Sequence, residues 1–148
     1  MSHKHAKNRA RDSKRAAQRQ LAEAKSGIER EIWVPPGQGE CDETETIVDF
    51  ANDTTKVIQR LSYLNGRLIY YAMMHFVFDR RDWHEVTRID CSHGTVHQHR
   101  FGRSGVSSTT LVHIQSLHSA SDVGRTYDSS YKAIYDNLHE NERRWRDG

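Results

Sequence analysis

Two β-prone runs, residues 57–64 and 68–78, flank Asn65-Gly66, and this arrangement dictates an antiparallel hairpin. Asn and Gly both tolerate the positive φ that a two-residue turn demands, so the dipeptide reverses the chain with the twist that paired strands need. The second run, Leu68-Ile69-Tyr70-Tyr71-Ala72-Met73-Met74-His75-Phe76-Val77-Phe78, is apolar on both of its alternating faces. A strand of that kind belongs in the middle of a sheet, with cover on each side. Downstream, Asp79-Arg80-Arg81-Asp82 reads as the next turn, residues 83–91 and 95–101 as two strands, and residues 102–108 as a loop. Residues 110–114 are a candidate further strand, while Thr46-Ile47-Val48-Asp49-Phe50 reads equally as an edge strand or a turn of helix. Tyr131, Ile134, Tyr135, Leu138 and Trp145 recur at helical spacing, with Thr126 or Asp128 as the cap. The expected class is therefore α+β: an antiparallel meander sheet of about four to five strands with a C-terminal helix packed on it.

The N-terminal part is of another kind. Within the first twenty residues Lys4, Lys7, Arg9, Arg11, Lys14, Arg15 and Arg19 crowd together against Asp12 alone, and the stretch to Ile32 is dominated by Ala, Arg, Lys, Gln and Glu residues that favour helix. We read residues 1–33 as a basic helical arm. Val34-Pro35-Pro36-Gly37-Gln38-Gly39 cannot continue a helix, so residues 34–45 form a Pro/Gly and acidic linker and residues 46–148 the α+β domain. With 35% hydrophobic and 28% charged residues, a chain of 148 residues can bury one modest core. No apolar run approaches the ~20 residues of a bilayer span, and the basic N-terminus lacks the apolar region of a secretory signal. Cys41 and Cys91 follow no CxxC pattern. An intracellular, cytoplasmic protein without a disulfide framework or membrane partner is the expectation. The arm suggests attraction to nucleic acid, with Arg100, Arg103, Arg143, Arg144 and Arg146 as candidate additions to the basic surface; a solvated helix and an arm folded back onto the acidic block from Glu40 to Asp53 are the other readings.

The chemistry concentrates in Arg88-Ile89-Asp90-Cys91-Ser92-His93-Gly94-Thr95-Val96-His97-Gln98-His99. A two-residue turn at His93-Gly94 would pair Ser92 with Thr95, Asp90 with His97 and Arg88 with His99. One hairpin face would then carry a guanidinium, a carboxylate and two imidazoles. Imidazoles exchange protons near neutral pH, a carboxylate fixes their tautomer, and arginine holds phosphate bidentately. That set suits RNA cleavage: His97, oriented by Asp90, as base, His99 as acid, and Arg88 on the phosphate. A register slipped by one residue would dissolve the face. The alternatives are a solvated hairpin with ordinary cross-strand ion pairs, and a metal site built from His97 and His99 with His93 or Asp90. Arg88 would oppose a cation, so no metal and no cofactor is assigned. Cys91 alternates to the opposite face and reads as core; His75 reads as a satisfied core or interface histidine, and Tyr70, Tyr71, Tyr131 and Tyr135 as packing, although one of them could reach a phosphate and spacing does not say which. No Walker A, GxGxxG, HExxH, GxSxG, helix-turn-helix, zinc-finger or RNA-recognition signature is present.

The run Arg88-x-Asp90-x-x-His93 followed by His97-x-His99, between a meander and a C-terminal helix, resembles the short TumE-like toxins of bacterial toxin–antitoxin modules. Residues 57–145 also resemble a small uncharacterised domain of actinobacteria and their phages, through Asp122, Tyr127-Asp128, Tyr131, Asn137, Asn141 and Arg144-Trp145. The long basic arm and the missing proline-rich segment before the histidines depart from the toxin pattern. The resemblance implies action on RNA or on translation. The expected function is a nucleic-acid-associated protein, RNA rather than DNA, acting as a metal-independent RNase of toxin or phage type. The alternatives are a non-catalytic phage or mobile-element protein that binds a host protein or polynucleotide through its arm, and a structural protein of a larger particle.

Overall fold

The computed structural model describes residues 13–18 and 33–148. The chain divides into two units, Met1–Ile32 and Trp33–Gly148. In the first, residues 13–18 are helical and exposed, Lys14 and Arg15 among them. Lys4, Lys7, Arg9, Arg11 and Arg19 of the expected arm lie outside the described residues.

The second unit is a six-stranded antiparallel meander in sequential order: β1 (Glu43–Asn52), β2 (Thr55–Leu64), β3 (Arg67–Asp79), β4 (Asp82–Ser92), β5 (Thr95–Gly102) and β6 (Gly105–Ser116). Two helices follow, α1 (Ala120–Asp136) and α2 (Leu138–Asp147). Each pair of consecutive strands is joined by two residues. Asn65-Gly66, Arg80-Arg81 and His93-Gly94 all take positive φ at both turn positions, between 51° and 78°, which matches the twist of the flanking strands.

Three sequence expectations are corrected. The sheet has six strands rather than four to five, because β1 and β6 are edge strands whose alternation is not apolar against polar. In β1, Glu43, Glu45 and Asp49 alternate with Thr44, Thr46, Val48 and Phe50, and the strand begins inside the stretch read as linker. In β6, the Gly/Ser-rich stretch read as a loop starts the strand. The single C-terminal helix is two helices broken at Asn137, and α1 starts at Ala120, ahead of both expected caps. Asp122 accepts the His118 N–H at 2.8 Å near its start, while Thr126 lies a further turn inside.

The helices pack on one face of the sheet. Val57, Leu61, Tyr71, Met73, Ile89, Cys91 and Val96 form the main core with Leu117, Val123 and Ile134, and Trp145 of α2 closes a second cluster with Val77 and Val86. Burying each such aliphatic side chain stabilises by about 1.5–3 kcal/mol. The Tyr71 hydroxyl lies 3.0 Å from both the Thr126 and the Ser130 hydroxyls, which lets these polar residues occupy the buried face of α1. His75 is fully buried on this face, but neither ring nitrogen has a hydrogen-bond partner among the described residues. It is a core histidine, and an unsatisfied one. Among the described residues no helix is long and apolar enough to cross a membrane.

On the other face, which we term distal, α1 and α2 give no cover. Ala72 and Met74 are nonetheless buried there, flanked in the ladder by Arg60 and Asp90, and by Ile58 and Arg88. The segment before β1 also reaches this face, where the Gln38 side chain hydrogen-bonds Tyr70.

Candidate active site on the distal sheet face

The β4–β5 register is the one the turn chemistry implies: Ser92 opposite Thr95, Asp90 opposite His97 and Arg88 opposite His99. His93 at φ 53° and Gly94 at φ 78° supply the turn, so the alternation of the hairpin follows from a single dipeptide. Ile89 and Cys91 therefore enter the core, while Arg88, Asp90, His97 and His99 share the distal face. Cys91 is 4% exposed, and burial pushes its thiol up to about 12, the state of an inert core sulfur rather than a nucleophile.

Within that face the contacts run diagonally. Asp90 Oδ2 meets His99 Nε2 at 3.1 Å, although His97 is its direct cross-strand neighbour. The Ser92 hydroxyl donates to the other carboxylate oxygen at 3.2 Å. The neutral His99 tautomer that satisfies Asp90 carries its proton on Nε2 and leaves Nδ1 as the acceptor. His99 also stacks on Phe101, with ring centroids 6.1 Å apart and planes 8° apart.

His97 has different partners. The Thr95 hydroxyl donates to the Ser92 carbonyl at 3.1 Å and lies 3.1 Å from His97 Nδ1. His113 on β6 pairs with His97 across the ladder, their ring centroids 5.6 Å apart at a steep angle. The guanidinium of Arg88 is held by Glu85 through Nε at 2.6 Å and Nη2 at 2.9 Å, and lies 5.7 Å from the Phe101 centroid. The hydrogen bonds to Glu85 raise its already high pKa further. Its Nη1 edge has no hydrogen-bond partner among the described residues.

Two residues enter that the sequence did not single out for this site. Tyr70 lies half-buried beside Asp90, and its phenol pKa is raised, first by burial and then by the Asp90 charge, with the Gln38 side chain acting in the opposite direction. Its position follows from the β3–β4 register, which sets Ala72 opposite Asp90 and Tyr70 two residues away on the same face. His113 is the other. Its approach to His97 depends on a register shift in β5–β6 that no local signal announces.

The structure separates the remaining basic candidates from this cluster. Arg100 pairs with Thr87 and Thr110 on the helix side of β5, where its charge lowers the pKa of Arg144 after burial has done so. Arg103 binds Asp79 at 3.0 Å and lies 4.7 Å over Trp145 of α2. Neither extends the histidine face. Among the described residues no three His, Cys, Asp or Glu side chains are arranged to hold a metal ion. No protein-family model, curated protein or solved structure matches the chain. The functional reading accordingly starts from the chemistry of this face.

Proposed function

We propose that the distal face is the active site of a metal-independent ribonuclease of the toxin or phage type. The observation that carries this reading is the Asp90–His99 pair, with a second imidazole, His97, two residues along the same strand. Two residues of strand separate the imidazole-bearing backbone positions by about 6–7 Å, enough for a phosphodiester to lie between the rings.

The roles differ from those read off the sequence, because Asp90 orients His99 instead of His97. His99 Nδ1 takes the proton from a ribose 2′-hydroxyl, and the 2′-oxygen forms a bond to phosphorus. The bond to the 5′-oxygen breaks, and that oxygen takes its proton from His97 in the imidazolium form. The products are a 2′,3′-cyclic phosphate and a 5′-hydroxyl, with both histidines returned to their starting states by proton exchange with water. Arg88 faces the same strand pair and stabilises charge on the phosphorane through its Nη1 edge. Tyr70 stands next to Asp90 as a neutral phenol able to donate to a phosphate oxygen.

The test is cleavage of a mixed RNA pool in the presence of EDTA. Wild type should release cyclic-phosphate ends, and His99→Ala or His97→Ala should lower the rate by about 10²–10⁴-fold without loss of thermal stability. Asp90→Asn should cost less than His99→Ala, since the imidazole stays but its orientation loosens. No cleavage by wild type, or equal cleavage by all four proteins, defeats the proposal. Retained RNA binding without cleavage would then favour the non-catalytic polynucleotide-binding reading.

A further inference from the structure

The distal face has a second end. Phe50 on β1 is 60% exposed and Phe78 on β3 is 36% exposed, both large rings left in water. The ladder aligns Phe50, Lys56 and Phe76 across β1, β2 and β3, and sets Phe78 opposite Trp83. The rings of Phe50 and Phe78 lie 6.1 and 5.3 Å from Trp83, and the Lys56 ammonium sits 4.1 Å over the Trp83 ring. This is an aromatic group with a cation in its midst, on the same face as Asp90 and His99.

Its charge pattern selects among occupants. The strands present two carboxylates on the distal face: Glu85 is ion-paired with Arg88, and Asp90 accepts a hydrogen bond from His99. Lys56 and Arg60 make no ion pair among the described residues. The acidic residues of β1 alternate away: Glu45 lies opposite Leu61 and Asp49 opposite Val57, on the helix side. A polyanion thus meets Lys56 and Arg60 at this end of the face, with the Glu85 charge already taken by Arg88, whereas a second copy would bring these cations towards each other. Exposed rings beside unpaired cations fit unpaired bases joined by phosphates. A duplex keeps its base faces hidden and cannot use them.

We infer that Phe50 and Phe78, with Lys56, form a stacking subsite for single-stranded RNA, distinct from the cleavage centre. The inference rests on the proposed cleavage reading for the identity of the strand as substrate, and on the aromatic–cation geometry for its binding. Trp83 and Asp90 are seven residues apart on β4, so roughly 20 Å separates the subsite from the histidines, allowing about 3.3 Å per residue. A dinucleotide held at the histidines cannot span that distance; a strand of several nucleotides can.

The test uses the full chain and two probes. A 2′-O-methyl RNA strand of about a dozen nucleotides cannot be cleaved and reports binding alone, while a dinucleotide reports cleavage alone. Phe50→Ala, Phe78→Ala and Lys56→Gln change side chains outside the buried core. Each aromatic substitution should weaken binding of the long strand by about 5- to 50-fold and leave dinucleotide cleavage unchanged. Binding should quench Trp83 fluorescence, and Trp83→Phe should abolish the quench. If wild type cleaves RNA but the aromatic variants bind the long strand normally, the subsite is overturned and the cleavage reading stands. If wild type cleaves nothing yet the variants lose binding, the subsite stands and the cleavage reading falls. Failure of wild type to bind the strand overturns the subsite. So does conversion by Phe50→Ala of a dimer to a monomer with RNA binding unaltered, which would make the face a self-association surface.

Discussion

At the scale of single residues, His75 is the place where chemistry and packing disagree. It has no exposure and no hydrogen-bond partner among the described residues, and burial lowers its pKa to about 4. The nearby Glu142 charge works against this shift, and Arg144 adds to it. In the unfolded chain the imidazole titrates near 6.5, so between pH 6.5 and 4 the unfolded state binds a proton that the folded state refuses. Stability attributable to this residue is therefore intact above pH 6.5 and falls as the pH drops, by about 2 kcal/mol at pH 5. His75→Leu removes the titration together with two unmatched ring nitrogens. Denaturant unfolding should find the variant at least as stable as wild type at pH 7.5, and gaining on it steadily down to pH 5. Parallel pH profiles would show that His75 titrates normally. The sequence placed this residue in the core, but the expectation that it would be satisfied there fails, because satisfaction depends on which polar atoms the helices bring. The same limit applied at the site. The identities Arg88, Asp90, His97 and His99 and their shared face followed from the turn, whereas the choice of His99 over His97 by Asp90 is a matter of side-chain reach.

At the scale of elements, the tight turns decide the sheet. Arg80 and Arg81 take φ of 51° and 74°, the left-handed region that L side chains enter at a cost. Glycine carries no such cost, and at Arg81 it should raise stability by about 0.5–1 kcal/mol after its greater unfolded-state entropy is subtracted. The Arg81→Gly variant, followed by denaturant unfolding, checks this; a loss of stability would mean that the arginine side chain contributes more than its backbone strain removes. The position also marks the limits of reading elements from sequence. Asn65-Gly66 and His93-Gly94 advertise their turns, and β2 to β5 were legible around them. Arg80-Arg81 was legible only because apolar runs stop on either side. β1 and β6 were not settled because edge strands lack a second buried face to write an apolar pattern. The start of α1 was hidden for a related reason: its buried positions include Thr126 and Ser130, which are apolar in neither size nor chemistry and are tolerated because Tyr71 bridges them.

At the scale of the whole folded unit, the sheet divides two tasks between its faces. The helix side holds the core, and the distal side holds the histidines, the arginine–glutamate pair and the exposed aromatic rings. Strand alternation enforces the division, since adjacent residues such as Ile89 and Asp90 belong to opposite sides. Stability and function should accordingly respond to different substitutions. Trp145 is 2% exposed, packs with Val77 and Val86, and carries the Arg103 guanidinium on its ring. Trp145→Ala should lower unfolding free energy by about 3–5 kcal/mol, a large share of what a domain this size possesses. Because no atom of the distal face is removed, RNA binding measured well below the lowered melting temperature should stay within about twofold of wild type. His99→Gln should do the reverse, losing cleavage while shifting unfolding by no more than about 1 kcal/mol, the scale of a partly exposed ion pair. A Trp145→Ala protein that is folded yet binds RNA poorly would show that α2 sets the curvature of the sheet and, through it, the spacing of Phe50 and Phe78. The two faces would then be one mechanical unit, and the separation argued from strand alternation would hold for side chains but not for the sheet that carries them.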